Sequence, residues 1–308
     1  MSKYIVRTFI CFLSFVFVFS VEAQDGKQKE LHITATVTDG RGRYAGGLTA
    51  QSFQIAIDEK RPEIISVEQN VPATIVFLID LSRSQKGTVA PLLAEIKNVI
   101  KDAHPDNEYT FIAFNTKPQL VLERNQDFAK LEESINKVLE TPAKGETAFY
   151  DSVYAAIEKA DSGSHQKKIL ICLSDGVDNA SQSYKKGDVS NLLKESDVLF
   201  YAVNHIMPSQ NTFDLVWKTQ EQGNLFALAN FSGGKSFVAL TALEASEIFK
   251  QIALELKSQY RISLRAANSE KPDKWQEIKI KVEPVIDENK KIKLTARTRS
   301  GIYLTSAK

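Results

Sequence analysis

Cysteine is scarce in this sequence, which has two in 308 residues: Cys11, in an apolar segment near the start, and Cys172. Cys172 is alone once the first segment is removed, so no internal disulfide can form and the apolar core must stabilise the fold. A thiol inside the apolar run at 169–173 is typical of a buried small hydrophobe rather than of a nucleophile. We therefore expect neither a disulfide framework nor thiol chemistry.

A dominant charge is also lacking, because 39 lysine and arginine residues balance 38 aspartate and glutamate residues. Without a dense basic block the chain has no electrostatic footprint for nucleic acid, so no nucleic-acid partner is expected. The basic residues near the end, such as Arg297 and Arg299, mostly alternate with apolar ones, as on the solvated face of strands. The four histidines are scattered without ligand spacing, which argues against zinc.

The first 23 residues have the layout of a secretory signal peptide. Lys3 and Arg7 precede an apolar run at 8–20, and the segment 21–23 ends in small residues. This pattern predicts cleavage after Ala23. The run is shorter than the roughly 20 apolar residues of a spanning helix; an uncleaved anchor is the alternative. We expect an exported protein, in the periplasm, cell envelope or medium, with no integral membrane segment after cleavage.

The remaining chain shows two patterns of apolar residues, one in its terminal segments and one in its middle. Apolar and polar residues alternate from Leu31, from Phe53 and again from Tyr260, which indicates half-buried antiparallel strands. The middle has continuous apolar runs, typical of strands covered on both faces in a parallel sheet. Stripes of helical period separate those runs, one of them containing Val89, Leu92 and Ile96.

The sequence therefore predicts an α/β fold: a doubly wound, mostly parallel sheet inserted in a small β-sandwich formed by the N- and C-terminal segments. The predicted boundaries are a signal peptide at 1–23, N-terminal strands of the sandwich at 24–72, the α/β domain at 73–257, and C-terminal strands of the sandwich at 258–308.

Polar residues stand where strands of the predicted sheet end. Asp80, Ser82 and Ser84 follow the first apolar run, Asp175 follows the third, and Thr147 precedes a helix. Ligands bind at the carboxyl ends of strands in open α/β sheets, and oxygen donors suit a hard cation such as Mg²⁺. Thr147 alone would read as a helix cap, but three such features together predict one metal site.

These residues carry a resemblance to the von Willebrand factor A domain. Asp80-x-Ser82-x-Ser84, Thr147 and Asp175 match the metal-ion-dependent adhesion site of that family. The resemblance implies that the serines and the threonine touch Mg²⁺ (or Mn²⁺ or Ca²⁺), while the aspartates act directly or through water. It also implies a partner protein that presents an Asp or Glu to the metal. The segments 37–42, 47–49 and 255–260 are similar to a bacterial exported group of related proteins.

Several nearby residues have two readings. Arg83 stands where many family members have glycine; it could steer an acidic partner or point to solvent. Asn115 and Asp178 could lie on the rim of the site or behind the ligands, or simply form turns. Trp217 could anchor a partner or pack on the sheet.

Three functions follow from these patterns. The leading hypothesis is a non-enzymatic adhesion or scaffold module that binds a partner through the metal. The second is a structural envelope protein in which the metal only stiffens the strand ends. The third is a metal-dependent hydrolase with Asp80 as nucleophile. Against the third, Ser82 occupies the place of a second aspartate, and no histidine or lysine lies beside either motif as general base.

Overall fold

The structure, a computed structural model, describes residues 30–206, 212–265, 274–287 and 290–303, without the side chains of 212–221. The predicted signal peptide at 1–23 therefore lies outside the described residues. Among the described residues, no helix combines the length and apolar character needed to cross a membrane.

The described residues form fifteen strands and six α-helices. The strands are β1 (Glu30–Asp39), β2 (Phe53–Ile57), β3 (Glu63–Gln69), β4 (Ala73–Asp80), β5 (Glu108–Phe114), β6 (Pro118–Asn125), β7 (Lys167–Leu173), β8 (Val198–His205), β9 (Ser236–Ala239), β10 (Tyr260–Arg265), β11 (Trp275–Val282), β12 (Val285–Asp287), β13 (Lys290–Ile292), β14 (Leu294–Arg297) and β15 (Gly301–Tyr303). The helices are α1 (Val89–Asp102), α2 (Phe128–Glu140), α3 (Phe149–Asp161), α4 (Lys186–Glu195), α5 (Thr212–Ser232) and α6 (Ala242–Ser258).

A six-stranded sheet forms the centre, in the order β6-β5-β4-β7-β8-β9. All neighbours are parallel except β5 and β6. Residues of β4, β5 and β8 are buried throughout, because α1, α2 and α6 cover one face and α3, α4 and α5 the other. The continuous apolar runs therefore reflect burial on both faces, and the predicted doubly wound sheet is confirmed.

The terminal segments build two larger antiparallel sheets, together with the small antiparallel pair β12-β13, around a separate core. One has the order β14-β1-β10-β3 and the other β15-β11-β2. Phe53 and Tyr260 meet edge to face between the two sheets, with ring centroids 5.4 Å apart. The hydroxyl of Tyr260 donates to Ala45 O (2.8 Å) and accepts from Leu48 N (3.1 Å). Strands from both ends of the chain thus share one small sandwich, as the alternating patterns predicted.

A buried polar cluster joins the sandwich to the central sheet. Glu255, near the end of α6, is 2% exposed and accepts hydrogen bonds from Tyr201 on β8 and from Arg297 on β14. Tyr44 also donates to Glu255 (3.2 Å). Burial, reinforced by the charge of Glu255, holds the pKa of Tyr201 well above its usual value. One carboxylate therefore links both parts of the molecule.

Arg299 corrects the expectation that the basic residues near the end face solvent. It is 8% exposed and donates to the carbonyls of Lys194 and Ser196 (each 2.8 Å) at the end of α4. The last carbonyls of a helix lack intrahelical partners and carry negative partial charge, so a cation is stabilised there. Asp197 pairs with the same guanidinium, which explains how this charge can be buried.

Candidate functional site

The first loop of the site follows β4 directly. Asp80 is the last residue of β4, and Arg83–Gln85 form a single 3-10 turn after Ser82. This turn brings Oγ of Ser82 within 3.2 Å of Oγ of Ser84. Ser82 is fully buried and Ser84 is exposed, so the hydroxyl pair reaches from the sheet to the surface.

Hydrogen bonds join this loop to two others. Arg83 N donates to Gly145 O (3.1 Å), which connects the first loop to the one that carries Thr147. Thr147 N donates to Oδ1 of Asn179 (2.7 Å), and Asn179 N donates back to Thr147 O (2.9 Å). Asn179 lies in the segment after β7, downstream of Asp175. The three segments with predicted ligands therefore form one connected surface at the carboxyl end of the sheet.

Asp80 is the buried centre of this surface. Its Oδ1 accepts from Ser82 N (2.8 Å) and its Oδ2 from Oγ of Ser174 (2.7 Å). Burial raises the pKa of Asp80 to about 6, against the lowering by hydrogen bonds from Ser82 and Ser174, and the charge of Asp175 adds to the rise. These donors are neutral, so a nearby cation would compensate a charge that is costly to bury.

The other two loops hold their residues by backbone geometry. Ala148 is the N-cap residue of helix α3. The hydroxyl of Thr147 therefore does not serve as the N-cap of that helix. Asp175 precedes Gly176, which has φ +79°. A Cβ at Gly176 would lie 2.8 Å from Cγ of Leu225. Glycine is required there by both conformation and space, and it lets the loop with Asp175 turn back over the sheet.

Four contributors were missed by the sequence reasoning. Ser174 binds Asp80, and Asn179 holds Thr147. Gln85 accepts from the hydroxyl of Thr88 (2.8 Å) and donates to Oγ of Ser84 (3.4 Å), while Nδ1 of His205 lies 2.9 Å from Thr88 O. The position of Ser174 beside Asp175 was a usable signal. For His205, 117 residues from Thr88, the sequence carries none.

The remaining candidates surround the three loops. Arg83 is exposed. The backbone oxygen of Asn115 accepts from Ala148 N (2.7 Å), which braces the start of α3. The carboxylate of Asp178 accepts from Tyr150 N (3.3 Å) in the first turn of α3, where the helix dipole favours negative charge. The side chain of Trp217 lies outside the described residues, so both roles predicted for it, partner anchor or packing on the sheet, remain predictions.

The donors suit a hard divalent cation. Among the described residues, no three His, Cys, Asp or Glu side chains are grouped to hold a metal; the ligands predicted from the sequence are two carboxylates and three hydroxyls. Oxygen donors with few charges are typical of Mg²⁺ and Ca²⁺ sites. The five residues are Asp80, Ser82, Ser84, Thr147 and Asp175. The paired serine hydroxyls beside the buried carboxylate therefore fit such an ion.

The fold and the three joined loops define a class: a mostly parallel α/β domain with an oxygen-rich surface at the carboxyl ends of its strands. The family model of the von Willebrand factor type A domain matches residues 74–240. This match covers more than half of the 308 residues, and the chain belongs to that family. No curated protein sequence matches the chain.

Three solved structures are similar to parts of this chain. Proximal thread matrix protein 1 from the mussel byssus, with a zinc-occupied MIDAS motif, has TM-score 0.51 and 19% identity over 66% of this chain and 50% of its own. BatB from Bacteroides thetaiotaomicron has TM-score 0.44 and 14% identity over 59% and 97%. The pilus adhesin SpaC from Lactobacillus rhamnosus GG has TM-score 0.48 and 11% identity over 80% and 47%. The chain spans about half the length of the mussel protein.

Proposed function

We propose that this chain is an exported, metal-dependent protein-binding module of the adhesion or scaffold type. Its membership of the von Willebrand factor A family supports a protein-interaction role. The proposed metal is Mg²⁺, with Mn²⁺ or Ca²⁺ as alternatives, and the proposed partner presents an Asp or Glu to it. The proposed ligands are Asp80, Ser82, Ser84, Thr147 and Asp175. The observation that carries the proposal is the hydroxyl pair of Ser82 and Ser84, 3.2 Å apart beside the buried Asp80.

The bound metal would supply an open coordination position for a carboxylate. The residues around the metal determine how strongly that position attracts a carboxylate. Ser82, Ser84 and Thr147 offer neutral oxygens, so they leave the positive charge largely uncancelled. Asp80 is held in place by Ser174 at 2.7 Å. The exposed Arg83 offers a forked donor to an approaching acidic group.

Two other functions compete with this one. A structural role would make the metal a brace between the strand ends, without any partner. Hydrolysis at Asp80 would need a general base, and the histidine behind this loop, His205, has its Nδ1 directed at Thr88 O. No contact among the described residues favours hydrolysis, so it ranks below the binding and the structural functions.

The test is affinity capture from envelope extract with residues 24–308 as bait. Wild type is compared in Mg²⁺ and in EDTA, together with Asp80→Asn and Ser84→Ala in Mg²⁺. Asp102→Asn, on the exposed end of α1, is the matched control. A protein retained by wild type and by the control in Mg²⁺, and lost in the other three samples, supports the proposal. Retention that is the same in all five samples overturns it.

Export and the domain boundaries stay predictions. N-terminal sequencing of the protein made in its host tests cleavage after Ala23. Limited proteolysis tests the boundaries 24–72, 73–257 and 258–308, since cleavage at domain junctions precedes cleavage within packed elements.

A further inference from the structure

A pocket of about 110 Å³ opens between the edge strand β6 and the last turn of α2. Gln119 on β6 and Lys137 on α2 line its exposed edge. The apolar floor consists of Leu81, Ala113, Val121 and Val138. We call this space the β6–α2 pocket.

The β6–α2 pocket shares a wall with the metal loop. Leu81, part of its floor, stands between Asp80 and Ser82 in the sequence. Leu81 N donates to Phe114 O (2.7 Å) and Leu81 O accepts from Lys144 N (2.9 Å), so the loop is fixed against the pocket on both sides. A group that enters the pocket therefore lies beside the surface that holds the predicted ligands.

The size of the β6–α2 pocket follows from a small residue in β5. Phe111 fills the same face of the sheet two residues earlier, whereas Ala113 leaves the space open. An apolar cavity of about 150 Å³ can bind benzene. A space of about 110 Å³ is therefore suited to a branched aliphatic side chain rather than to an aromatic one.

The charges around the β6–α2 pocket indicate the kind of partner. The segments 81–88, 115–119 and 137–147 carry five exposed basic residues and two exposed acidic ones, Glu140 and Glu146. The basic residues are Arg83, Lys86, Lys117, Lys137 and Lys144. Because a basic rim attracts negative charge and discourages basic segments, the pocket suits an acidic partner.

We infer that the β6–α2 pocket is the specificity subsite of the metal-dependent interaction. It takes the Leu, Ile or Val side chain of an acidic partner segment, close in sequence to the Asp or Glu that binds the metal. This inference rests on the proposed function. The metal would supply affinity for any exposed carboxylate, and the pocket would select among the segments that carry one.

The experiment selects phage-displayed nine-residue peptides with a fixed central Asp on immobilised residues 24–308 in Mg²⁺, with elution by EDTA. Val121→Ala and Ala113→Phe alter the pocket, because both residues lie in its floor. Val67→Ala is the matched control for Val121→Ala, because Val67 is also a half-buried valine on an edge strand, β3. Lys137→Ala on the rim is compared with Lys130→Ala, which is exposed earlier in α2.

Wild type should release peptides enriched in acidic residues and in Leu, Ile or Val at one fixed spacing from the Asp. A synthetic peptide with Leu there should bind about tenfold tighter than its Ala version, the ratio expected for burying one aliphatic side chain. Val121→Ala and Ala113→Phe should reduce that ratio, and Val67→Ala should keep it. Lys137→Ala should weaken the enrichment in acidic residues more than Lys130→Ala.

EDTA-released peptides without an aliphatic preference would overturn the inference, as would a preference that both pocket variants keep. Either result leaves metal-dependent binding intact. A wild-type selection in which EDTA releases no enriched peptides contradicts the proposed function itself, and the inference with it. Val121→Ala keeps the test decisive if Ala113→Phe fails to fold, because Val121 is only half-buried and the change removes just two methyl groups.

Discussion

Oγ of Ser174 donates a 2.7 Å hydrogen bond to Oδ2 of Asp80, between residues that are 94 positions apart in the sequence. The bond joins the ends of the neighbouring strands β4 and β7. It orients a carboxylate whose other oxygen is held by Ser82 N. The geometry of the proposed metal site therefore depends on a residue that is not itself a proposed ligand.

Ser174→Ala should weaken metal binding about tenfold or more, because a hydrogen bond to a charged group contributes roughly 1.5–3 kcal/mol. Isothermal titration with Mn²⁺ and with Mg²⁺ measures the change. Ser190→Ala, which removes a hydroxyl bonded to Lys186 O on α4, should leave the affinity unchanged. Equal affinities for all three proteins would show that Asp80 needs no such support.

Metal binding should weaken as the pH falls through about 6, where Asp80 takes up a proton. In EDTA, without metal, the stability of the protein should change with pH in the opposite direction: it should be higher at low pH. The pKa of Asp80 in the folded state, about 6, lies above the ordinary aspartate value of 3.8, so the folded state binds more protons between these two pH values. This group's contribution to stability is full below 3.8 and is lost as the pH rises through 6, by up to about 3 kcal/mol.

Urea unfolding of wild type and Asp80→Asn in EDTA, from pH 3.5 to 7.5, measures this difference. The wild-type curve should fall relative to the variant across pH 4 to 6 and run parallel above it. Parallel curves over the whole range would show that Asp80 has an ordinary carboxyl pKa.

Lys167 should make stability rise with pH above neutrality. Its amine is fully buried, and burial lowers its pKa to about 7, partly offset by the charge of Glu255. It donates to Leu256 O near the end of α6. The folded state binds fewer protons than the unfolded state between pH 7 and 10.5, so stability increases across that window by up to a few kcal/mol. Lys167→Met should abolish the increase in urea unfolding, whereas a persistent slope would assign it to other groups.

Glu255→Gln should destabilise the protein by about 3–5 kcal/mol, because it leaves the guanidinium of Arg297 partly buried without its carboxylate. Glu247→Gln on the same helix is the control. Its ion pair with Lys250 has both side chains more than 60% exposed, so the change should cost at most about 1 kcal/mol. Equal unfolding midpoints for the two variants in denaturant would mean that the buried cluster around Glu255 does not contribute to the stability of the protein.

Much of the fold could be predicted from periodicity. The run at 75–79 became β4, and the stripe with Val89, Leu92 and Ile96 became α1. Arg299 was misread as a strand residue, whereas it lies in the connection between β14 and β15. The alternation of basic and apolar residues also does not show that the end of α4 packs against Arg299.

The sequence by itself determined the doubly wound sheet and the flanking strands, because burial on one face or two leaves a local periodic pattern. It also showed polar residues after two strands and before one helix. Only the tertiary structure decided which distant groups meet: Ser174 with Asp80, Tyr201 with Glu255, and Leu81 with Ala113 in one pocket. These contacts depend on strand register and helix packing between segments far apart in the chain. No spacing within a single segment encodes them.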